Sequence, residues 1–244
     1  MRALLAALLV LATAVGAAAQ SPLVAELRAW EARYHEEPGR LDRLYQGLTE
    51  AVKTDSHIDN YLALAQICFM WGDVRARSVE EKLEAYDRGR QAAKRVVELA
   101  PRNAWGHFWH ATNAGRWGQT KGVMRSLFLV PTVKEGMRTA LELDPKLVGA
   151  YSLAGSVYAE VPGLFGGDLD KSEEMFRKGI ELDPRYTGLR VGLAKTLIKK
   201  KRLDEARREL RAVLDEKAPR NPADWTVKDS RQARELLDSL EERR

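Results

Sequence analysis

Two histidines are the first residues of this chain whose types and spacing could do chemistry. His107 and His110 stand three residues apart, so that on a helix both imidazoles could reach one metal ion. A third ligand does not follow them at a usable spacing, and the chain contains no His-Glu-x-x-His motif. We therefore expect no metal site, and we interpret His107 as a packing residue.

A glycine-rich segment, Gly163–Asp168, is the second candidate, because glycine-rich turns can offer backbone N–H groups to a phosphate. No Lys followed by Ser or Thr comes directly after its last glycine, and the carboxylates of Asp168 and Asp170 would repel an anion. We predict a hairpin turn in which Asp170 caps the next helix. The chain also lacks a nucleophile elbow and a Cys–His pair near in sequence, so we expect no enzyme and no cofactor.

The composition of the 244 residues indicates a folded protein and argues against nucleic acid as a partner. The 40 basic and 35 acidic residues are interleaved, as where Asp204 and Glu205 follow Lys199–Arg202. Nucleic-acid-binding proteins more often present a basic stripe that no carboxylate interrupts, so we interpret this segment as a solvated helix face. Cys68 is the single cysteine, which excludes an intrachain disulfide and a cysteine-built zinc or iron–sulfur site.

The first twenty residues have the pattern of a secretory signal peptide. Met1 and Arg2 give a positive start, Ala3–Val15 is uncharged and apolar, and small residues precede Gln20. A bacterial lipoprotein would carry a cysteine directly after the small residues, where Gln20 and Ser21 stand. We predict that residues 1–20 are cleaved and that the protein resides in the periplasm or outside the cell, without a stable membrane anchor.

A repeated motif organises the rest of the chain. An apolar residue followed by Glu-Leu-x-Pro occurs three times, ending at Pro101, Pro145 and Pro184, and a weaker copy ends at Pro219. The spacing is slightly longer than the period of about 34 residues that is typical of stacked helical hairpins. Capping-box pairs predict where second helices begin, and they are Ser78 with Glu81, Thr132 with Glu135, and Asp170 with Glu173.

These signals predict an all-α solenoid. About four degenerate hairpins would occupy residues 56–219, with two capping helices in residues 21–55 and one in residues 220–244. The segment Ala150–Tyr158, with Phe176 and the terminal Leu182–Pro184, resembles the tetratricopeptide repeat (TPR). That resemblance implies pairs of antiparallel helices stacked so that the first helices line an inner face.

Two further resemblances concern function. His107–Ala111, Val133–Gly136 and Leu143–Pro145 are similar to the regulator of microtubule dynamics family, although a signal peptide argues against a microtubule role. Val161–Asp168, with Phe176, is similar to the periplasmic T-components of tripartite ATP-independent transporters. The second resemblance implies that the chain associates with a periplasmic solute-binding protein.

The inner face is the surface that we expect to bind a partner protein or peptide. Its predicted residues combine aromatic, polar and charged side chains, as binding hot spots often do, and they are Asp59, Gln66, Trp105, Phe108, Thr112, Arg116, Ser152, Ser156 and Lys195. The insertion 117–130 leaves two alternatives open, since it could fill this face or leave it exposed. The alternative function is a carrier that holds a small apolar ligand in a channel beneath the insertion.

The leader generates the first prediction. Expressed in a bacterium with intact export, the protein should begin near Gln20 or Ser21 and fractionate as a soluble protein, because the apolar run is short and ends in small residues. N-terminal sequencing of the exported protein measures this. A chain that starts at Met1 and stays with the membrane would contradict it.

Overall fold

The computed structural model describes residues 21–242, and within that range the chain forms helices and no strand. The predicted signal peptide, residues 1–20, lies outside the described residues. No described helix is both long enough and apolar enough to cross a membrane. The predicted all-α class is confirmed.

Two helices precede the repeats, α1 (Pro22–Trp30) and α2 (Gly39–Thr54). A proline in the first turn of α1 fits there because that N–H has no partner within a helix. In α2, Leu41, Leu44 and Leu48 recur at steps of three and four residues and are fully buried. These two helices therefore cover the apolar end of the first hairpin.

Four helical hairpins follow in the described part of the chain. Their helices are α3 (Ile58–Val74) with α4 (Val79–Leu99), α5 (Ala104–Lys121) with α6 (Val123–Leu143), α7 (Val148–Glu160) with α8 (Leu169–Leu182), and α9 (Thr187–Lys199) with α10 (Leu203–Asp215). One helical turn, Pro222–Asp224, and a π-helical stretch, Trp225–Asp229, then lead into α11 (Ser230–Glu241). The apolar side of α11 packs on α9 and α10 through Ala233 and Leu240, and caps the array.

Glycines bring helices of neighbouring layers close together. The ring of Phe176, on α8, lies against Gly155 of α7 and Gly192 of α9, and a Cβ at Gly155 would lie 2.7 Å from that ring. At the same contact the Ser172 hydroxyl donates a 2.8 Å hydrogen bond to the carbonyl oxygen of Gly155. A side chain in place of Gly155 would therefore push α8 away from α7.

One of the three predicted capping boxes is confirmed. Ser78 Oγ accepts a 3.1 Å bond from the Glu81 N–H, and the Glu81 carboxylate accepts one of 3.3 Å from the Ser78 N–H. The prediction at Thr132 is wrong, because α6 begins nine residues earlier at Val123 and Thr132 lies inside it. The prediction that Asp170 caps α8 is also wrong by two residues.

Asp168 is the residue that caps α8. Its Oδ1 accepts hydrogen bonds from the backbone N–H groups of Asp170 and Lys171, at 2.9 and 3.1 Å. A carboxylate at this place also interacts favourably with the helix dipole. The previous helix ends at Glu160, just before Val161 and Pro162, and Asp168 is the first carboxylate of the turn that follows.

The insertion 117–130 does not fold over the inner face. It forms the end of α5 and the start of α6, with Gly122 alone between the two helices. Gly122 has φ of 109°, a conformation that strongly favours glycine. The extra residues continue helices because only the glycine at 122 breaks the helical pattern, and Pro131 is accommodated within α6.

The two ends of the solenoid meet. Residues 220–229, which we call the closing segment, lie against the N-terminal helices: the Ala223 N–H donates to the Ala32 carbonyl at 3.0 Å, and the Tyr34 hydroxyl donates to Asp224 at 2.8 Å. On the inner side, Thr187 Oγ1 donates a 2.8 Å hydrogen bond to Asp229, which is 4% exposed. The stacked hairpins therefore curve into a closed arrangement around their inner face.

The glycine contact yields a second prediction. Gly155→Leu should lower the melting temperature, because a branched side chain facing the Phe176 ring overpacks the contact by about 1–3 kcal/mol or more. Gly39→Leu is the matched control, since no atom lies within 4 Å of a Cβ built there. Equal circular dichroism melting curves for the two variants would mean that Gly155 is not a limiting contact.

A third prediction concerns Asp229 and pH. Burial raises the pKa of the Asp229 carboxyl to about 6, well above that of an Asp in an unfolded chain, about 3.9. The folded state therefore binds more protons between these values, so this group lowers the free energy of unfolding as pH rises from about 4 to 6. Asp229→Asn keeps an acceptor for Thr187 and removes the buried charge, and should be more stable than wild type at pH 7, by at most about 3 kcal/mol.

The comparison is made by thermal melting of wild type and Asp229→Asn at pH 4 and pH 7. The stability difference should be small at pH 4, where the wild-type carboxyl is protonated when folded, and should grow towards pH 7. A difference that does not change with pH would show that Asp229 is ionised in the folded protein at both values.

Candidate functional site

Three adjoining cavities form one continuous surface on the inside of the array. The cavities of about 270 and 310 Å³ share Phe69 and Trp109. The remaining cavity, also about 310 Å³, shares Trp109 with both of them and Trp105 with the first. We call this surface the inner groove. It is lined mainly by α3, α5, α7 and the closing segment, and its chief residues are Glu31, Gln66, Phe69, Asp73, Trp105, Phe108, Trp109, Arg116, Ser152, Ser156, Tyr186 and Lys228.

An aromatic cluster forms the middle of the inner groove. The Phe108 and Trp109 rings have centroids 4.8 Å apart, and the Phe69 ring lies 5.7 Å from that of Trp109. Trp105 meets Phe108 edge to face at 5.8 Å. Because Trp105 is 45% exposed whereas Phe108 and Trp109 are below 9%, Trp105 is the ring that a bound partner can contact.

Phe108 is held in place from behind. Gly149, at the start of α7, lies directly against its ring, and a Cβ at that position would be 2.9 Å from it. The two aromatics that the sequence placed together thus have different environments, since Phe108 belongs to the core and Trp105 reaches the surface. The insertion covers neither of them, because it extends the hairpin beyond the inner face.

Arg116 lies in the inner groove as an ion pair. Its Nε donates to Asp73 Oδ1 at 3.0 Å, and its Nη2 donates to the other carboxylate oxygen. The Tyr86 hydroxyl donates to the same carboxylate at 2.7 Å, and burial together with Asp73 raises the pKa of that hydroxyl. Arg116 is therefore pre-positioned, with its guanidinium 5.7 Å from the Phe69 ring centroid, and an acidic group of a partner would compete with Asp73 for it.

The structure brings eight of the nine residues expected on the inner face into the inner groove. Asp59 lines its N-terminal end, where the Gln66 side chain donates to Glu31. Thr112 forms part of the floor, and its hydroxyl is buried without a hydrogen-bond partner among the described residues. The α7 residues expected there, Ser152 and Ser156, are half-buried along its far side.

Lys195 does not line the inner groove. Its Nζ donates a 2.6 Å hydrogen bond to Gln232 Oε1 on α11. The repeat spacing places Lys195 on the first helix of the last hairpin, but there the C-terminal residues occupy the inner side. The predicted inner face therefore does not extend to Lys195.

The closing segment contributes residues that sequence reasoning missed. Lys228 and Asp224 lie 3.0 Å apart at the edge of the inner groove, and Arg220 pairs with Asp183 at 2.7 Å beside them. In the sequence, Asn221 followed by a proline is typical of a helix start. That pattern does not tell that the helix lies against the N-terminal helices. Only the curvature of the whole array brings this segment there.

A second cleft lies beneath the insertion, between α6 and α7. Its volume is about 300 Å³, and its walls are mainly aliphatic, with Leu127, Val130 and Val133 facing Val157 and Val161. It is an open surface cleft and not a covered channel, because the insertion stands upright as a helical hairpin. Val123, which lines this cleft, is largely exposed, and so are the nearby side chains of Met124 and Phe128.

Comparison with known proteins gives two family matches. The pattern described as regulator of microtubule dynamics protein 1-3 matches residues 24–164, and that of the tetratricopeptide repeat matches residues 166–228. Regulator of microtubule dynamics protein 1 of Bos taurus is 27% identical over 185 residues, which cover 69% of this chain and 58% of the bovine protein. The chain thus spans less than two thirds of the length of that relative.

Among solved structures, TTC0263, a thermophilic TPR protein of Thermus thermophilus, is similar with a TM-score of 0.62 and 21% identity. The match covers 88% of this chain and 96% of that protein, and it confirms the TPR-type solenoid predicted from the repeats. Residues 24–164 are more than half of the chain and include α2–α7, which build most of the inner groove. The chain belongs to the regulator of microtubule dynamics protein 1-3 family.

Proposed function

We propose that this protein is an exported, non-enzymatic adaptor that holds a segment of a partner protein in its inner groove. Helical-repeat proteins of the tetratricopeptide type act in protein–protein interaction. The observation that carries the proposal is the exposed ring of Trp105, which rests on the buried rings of Phe108 and Trp109. A rigid, half-exposed tryptophan in a concave surface has the properties of a binding hot spot.

The charged residues around Trp105 indicate which kind of partner segment would bind. Glu31 and Asp73 supply carboxylates to the inner groove, and Lys146 and Lys228 supply ammonium groups. An apolar or aromatic side chain of the partner would pack on Trp105, and charged residues of both signs beside it would find opposite charges in the groove. This arrangement favours an amphipathic peptide over a uniformly acidic or basic one.

Export to the periplasm or the cell exterior is part of the proposal. Its support is the signal-peptide pattern of residues 1–20. The specific partner that we propose is the solute-binding protein of a tripartite ATP-independent transporter. The support for that partner is the similarity of Val161–Asp168 and Phe176 to T-component proteins.

A second candidate function is favoured by the aliphatic cleft between α6 and α7. A small apolar molecule would bury itself between Leu127, Val133 and Val157, and the protein would act as its carrier. Extraction of purified protein with organic solvent, followed by mass spectrometry, tests this. A bound apolar compound that is lost from Leu127→Glu would favour the carrier over the adaptor.

The fourth prediction tests the adaptor function. The proteins captured from periplasmic extract by wild type should be retained by Leu182→Ala and lost by Trp105→Ala. The two side chains are matched in exposure, at 44% and 45%, but Leu182 lies at the end of α8, outside the inner groove. For the purified solute-binding protein, titration calorimetry should give about thirtyfold weaker binding to Trp105→Ala, because a central anchor contributes about 2 kcal/mol or more.

Thermal melting separates binding from folding. Half of the Trp105 surface is already exposed, so Trp105→Ala should lose less stability than the 3–5 kcal/mol or so expected of a buried tryptophan. Arg116→Ala removes a charge from the inner groove, while Asp73 keeps the hydrogen bond from Tyr86, so it should fold and bind more weakly. If both variants fold and capture the same proteins as wild type, the inner groove is not the binding site.

A further inference from the structure

The turns within the hairpins lie along one edge of the solenoid. The first helices α3, α5, α7 and α9 run in the same direction, so the ends from which the chain turns into each second helix are neighbours. We call this the turn edge, and it comprises residues 75–78, Gly122, residues 161–168 and residues 200–202, together with the helix ends that flank them. The turns between successive hairpins lie along the opposite edge.

The turn edge carries exposed cations. Arg77, Lys121, Arg125 and Lys201 are exposed, and no ion pair engages their side chains among the described residues. Several carboxylates at the same edge are engaged, whereas Glu80 and Glu160 are exposed and take part in no ion pair among the described residues. Asp170 pairs with Lys200 at 2.5 Å, Glu205 pairs with Arg202 at 2.5 Å, and Asp168 caps α8.

Apolar side chains project from the same edge. Met124 and Phe128, one turn apart on α6, are 68% and 72% exposed, and Leu164 in the neighbouring turn is 91% exposed. Lys134 Nζ donates a 2.5 Å hydrogen bond to the Gly166 carbonyl, which ties α6 to that neighbouring turn. The stretch 117–134 contains three cations and no carboxylate, and the Glu160 carboxylate of α7 accepts a 2.7 Å hydrogen bond from Gln119 within it. Met124 and Phe128 therefore lie in a mainly basic setting.

A surface that combines exposed apolar side chains with unpaired cations is complementary to an anionic phospholipid surface. Anionic phospholipid attracts Lys and Arg near its surface, and its acyl region accepts shallowly inserted apolar side chains. A second copy of the chain fits less well. A twofold interface through Met124 and Phe128 would place Lys121 and Arg125 near their own copies, where like charges repel.

We propose that the tip of the α5–α6 hairpin docks on an anionic phospholipid surface, with Met124 and Phe128 inserted and Lys121 and Arg125 at the headgroups. The contact is peripheral, because it uses side chains at one turn. The inner groove is lined by helix faces, by the closing segment and by the turn between α6 and α7 at the opposite edge. This contact and the binding of a partner in the inner groove therefore do not use the same residues.

The test is vesicle flotation with the exported protein, after its N-terminus has been determined. Vesicles of phosphatidylglycerol mixed with phosphatidylcholine should carry the protein, and vesicles of phosphatidylcholine alone should carry much less. Binding should weaken as salt is added, because exposed charges are screened. Lys121→Gln with Arg125→Gln should weaken binding about thirtyfold, since each cation near an anionic surface contributes a factor of about five.

Matched variants keep the result interpretable. Met124→Ser with Phe128→Ser should float at least tenfold less while melting as wild type does, because both side chains are mainly exposed. Arg102→Gln with Arg185→Gln removes two exposed cations from the opposite edge and should float as wild type does. The proposal is overturned if wild type does not float with anionic vesicles, or if the two charge variants float equally.

A dimer in solution that the Met124→Ser with Phe128→Ser variant abolishes, without vesicle binding by wild type, would also overturn it and would assign the patch to self-association. These measurements do not use the inner groove, so a failure here leaves the adaptor function as it stands. Conversely, Trp105→Ala should float as wild type does.

Discussion

Helices of this protein come closest to one another where one of them carries no side chain, and the stacking of the hairpins depends on that contact. The Phe176 ring fits between Gly155 and Gly192 and thereby joins α7, α8 and α9. The same principle operates earlier in the array, where a Cβ at Gly136 would lie 2.8 Å from that of Ala111. Each hairpin alone leaves an apolar face uncovered, so these close approaches are needed to bury the apolar faces between neighbouring hairpins.

The curvature that results from this stacking decides what the inner face becomes. With each hairpin rotated relative to the last, the C-terminal residues reach the N-terminal helices, and Ala223 and Asp224 bond to Ala32 and Tyr34. The inner groove is therefore bounded at both ends and is lined by residues from most of the chain. The same closure buries the carboxyl of Asp229 against the last hairpin, which raises its pKa and lowers the stability of the folded protein at neutral pH.

The two surfaces of interest use different parts of the same repeats. Helix faces provide the inner groove, in which Trp105 rests on buried rings and Arg116 is already paired with Asp73. Turns and the helix ends beside them provide the basic edge, where Met124 and Phe128 are exposed. In a solenoid, turn residues and residues of the helix faces can be substituted independently, because a substitution at a turn leaves the contacts between helix faces unchanged.

Residue patterns within the sequence determined the elements and their order. The repeated Glu-Leu-x-Pro endings, the apolar steps of three and four residues and the capping box at Ser78 are local signals, and local physics suffices to interpret them. The spacing of the repeats also located Trp105 and Arg116 on first helices. It could not tell that Phe108 is covered by Gly149 while Trp105 is exposed, because that depends on the next hairpin.

Only the tertiary structure decided the rest. Charges that alternate along the sequence are arranged differently in space. Asp170 forms an ion pair with Lys200. Lys201 and the distant Lys121 and Arg125 lie along one edge and form no ion pair within the described residues. Lys195 does not line the inner groove, and its side chain bonds instead to Gln232 of α11. These outcomes depend on contacts between residues far apart in the chain, and such contacts follow from the accumulated rotation of the stacked hairpins, which no single segment encodes.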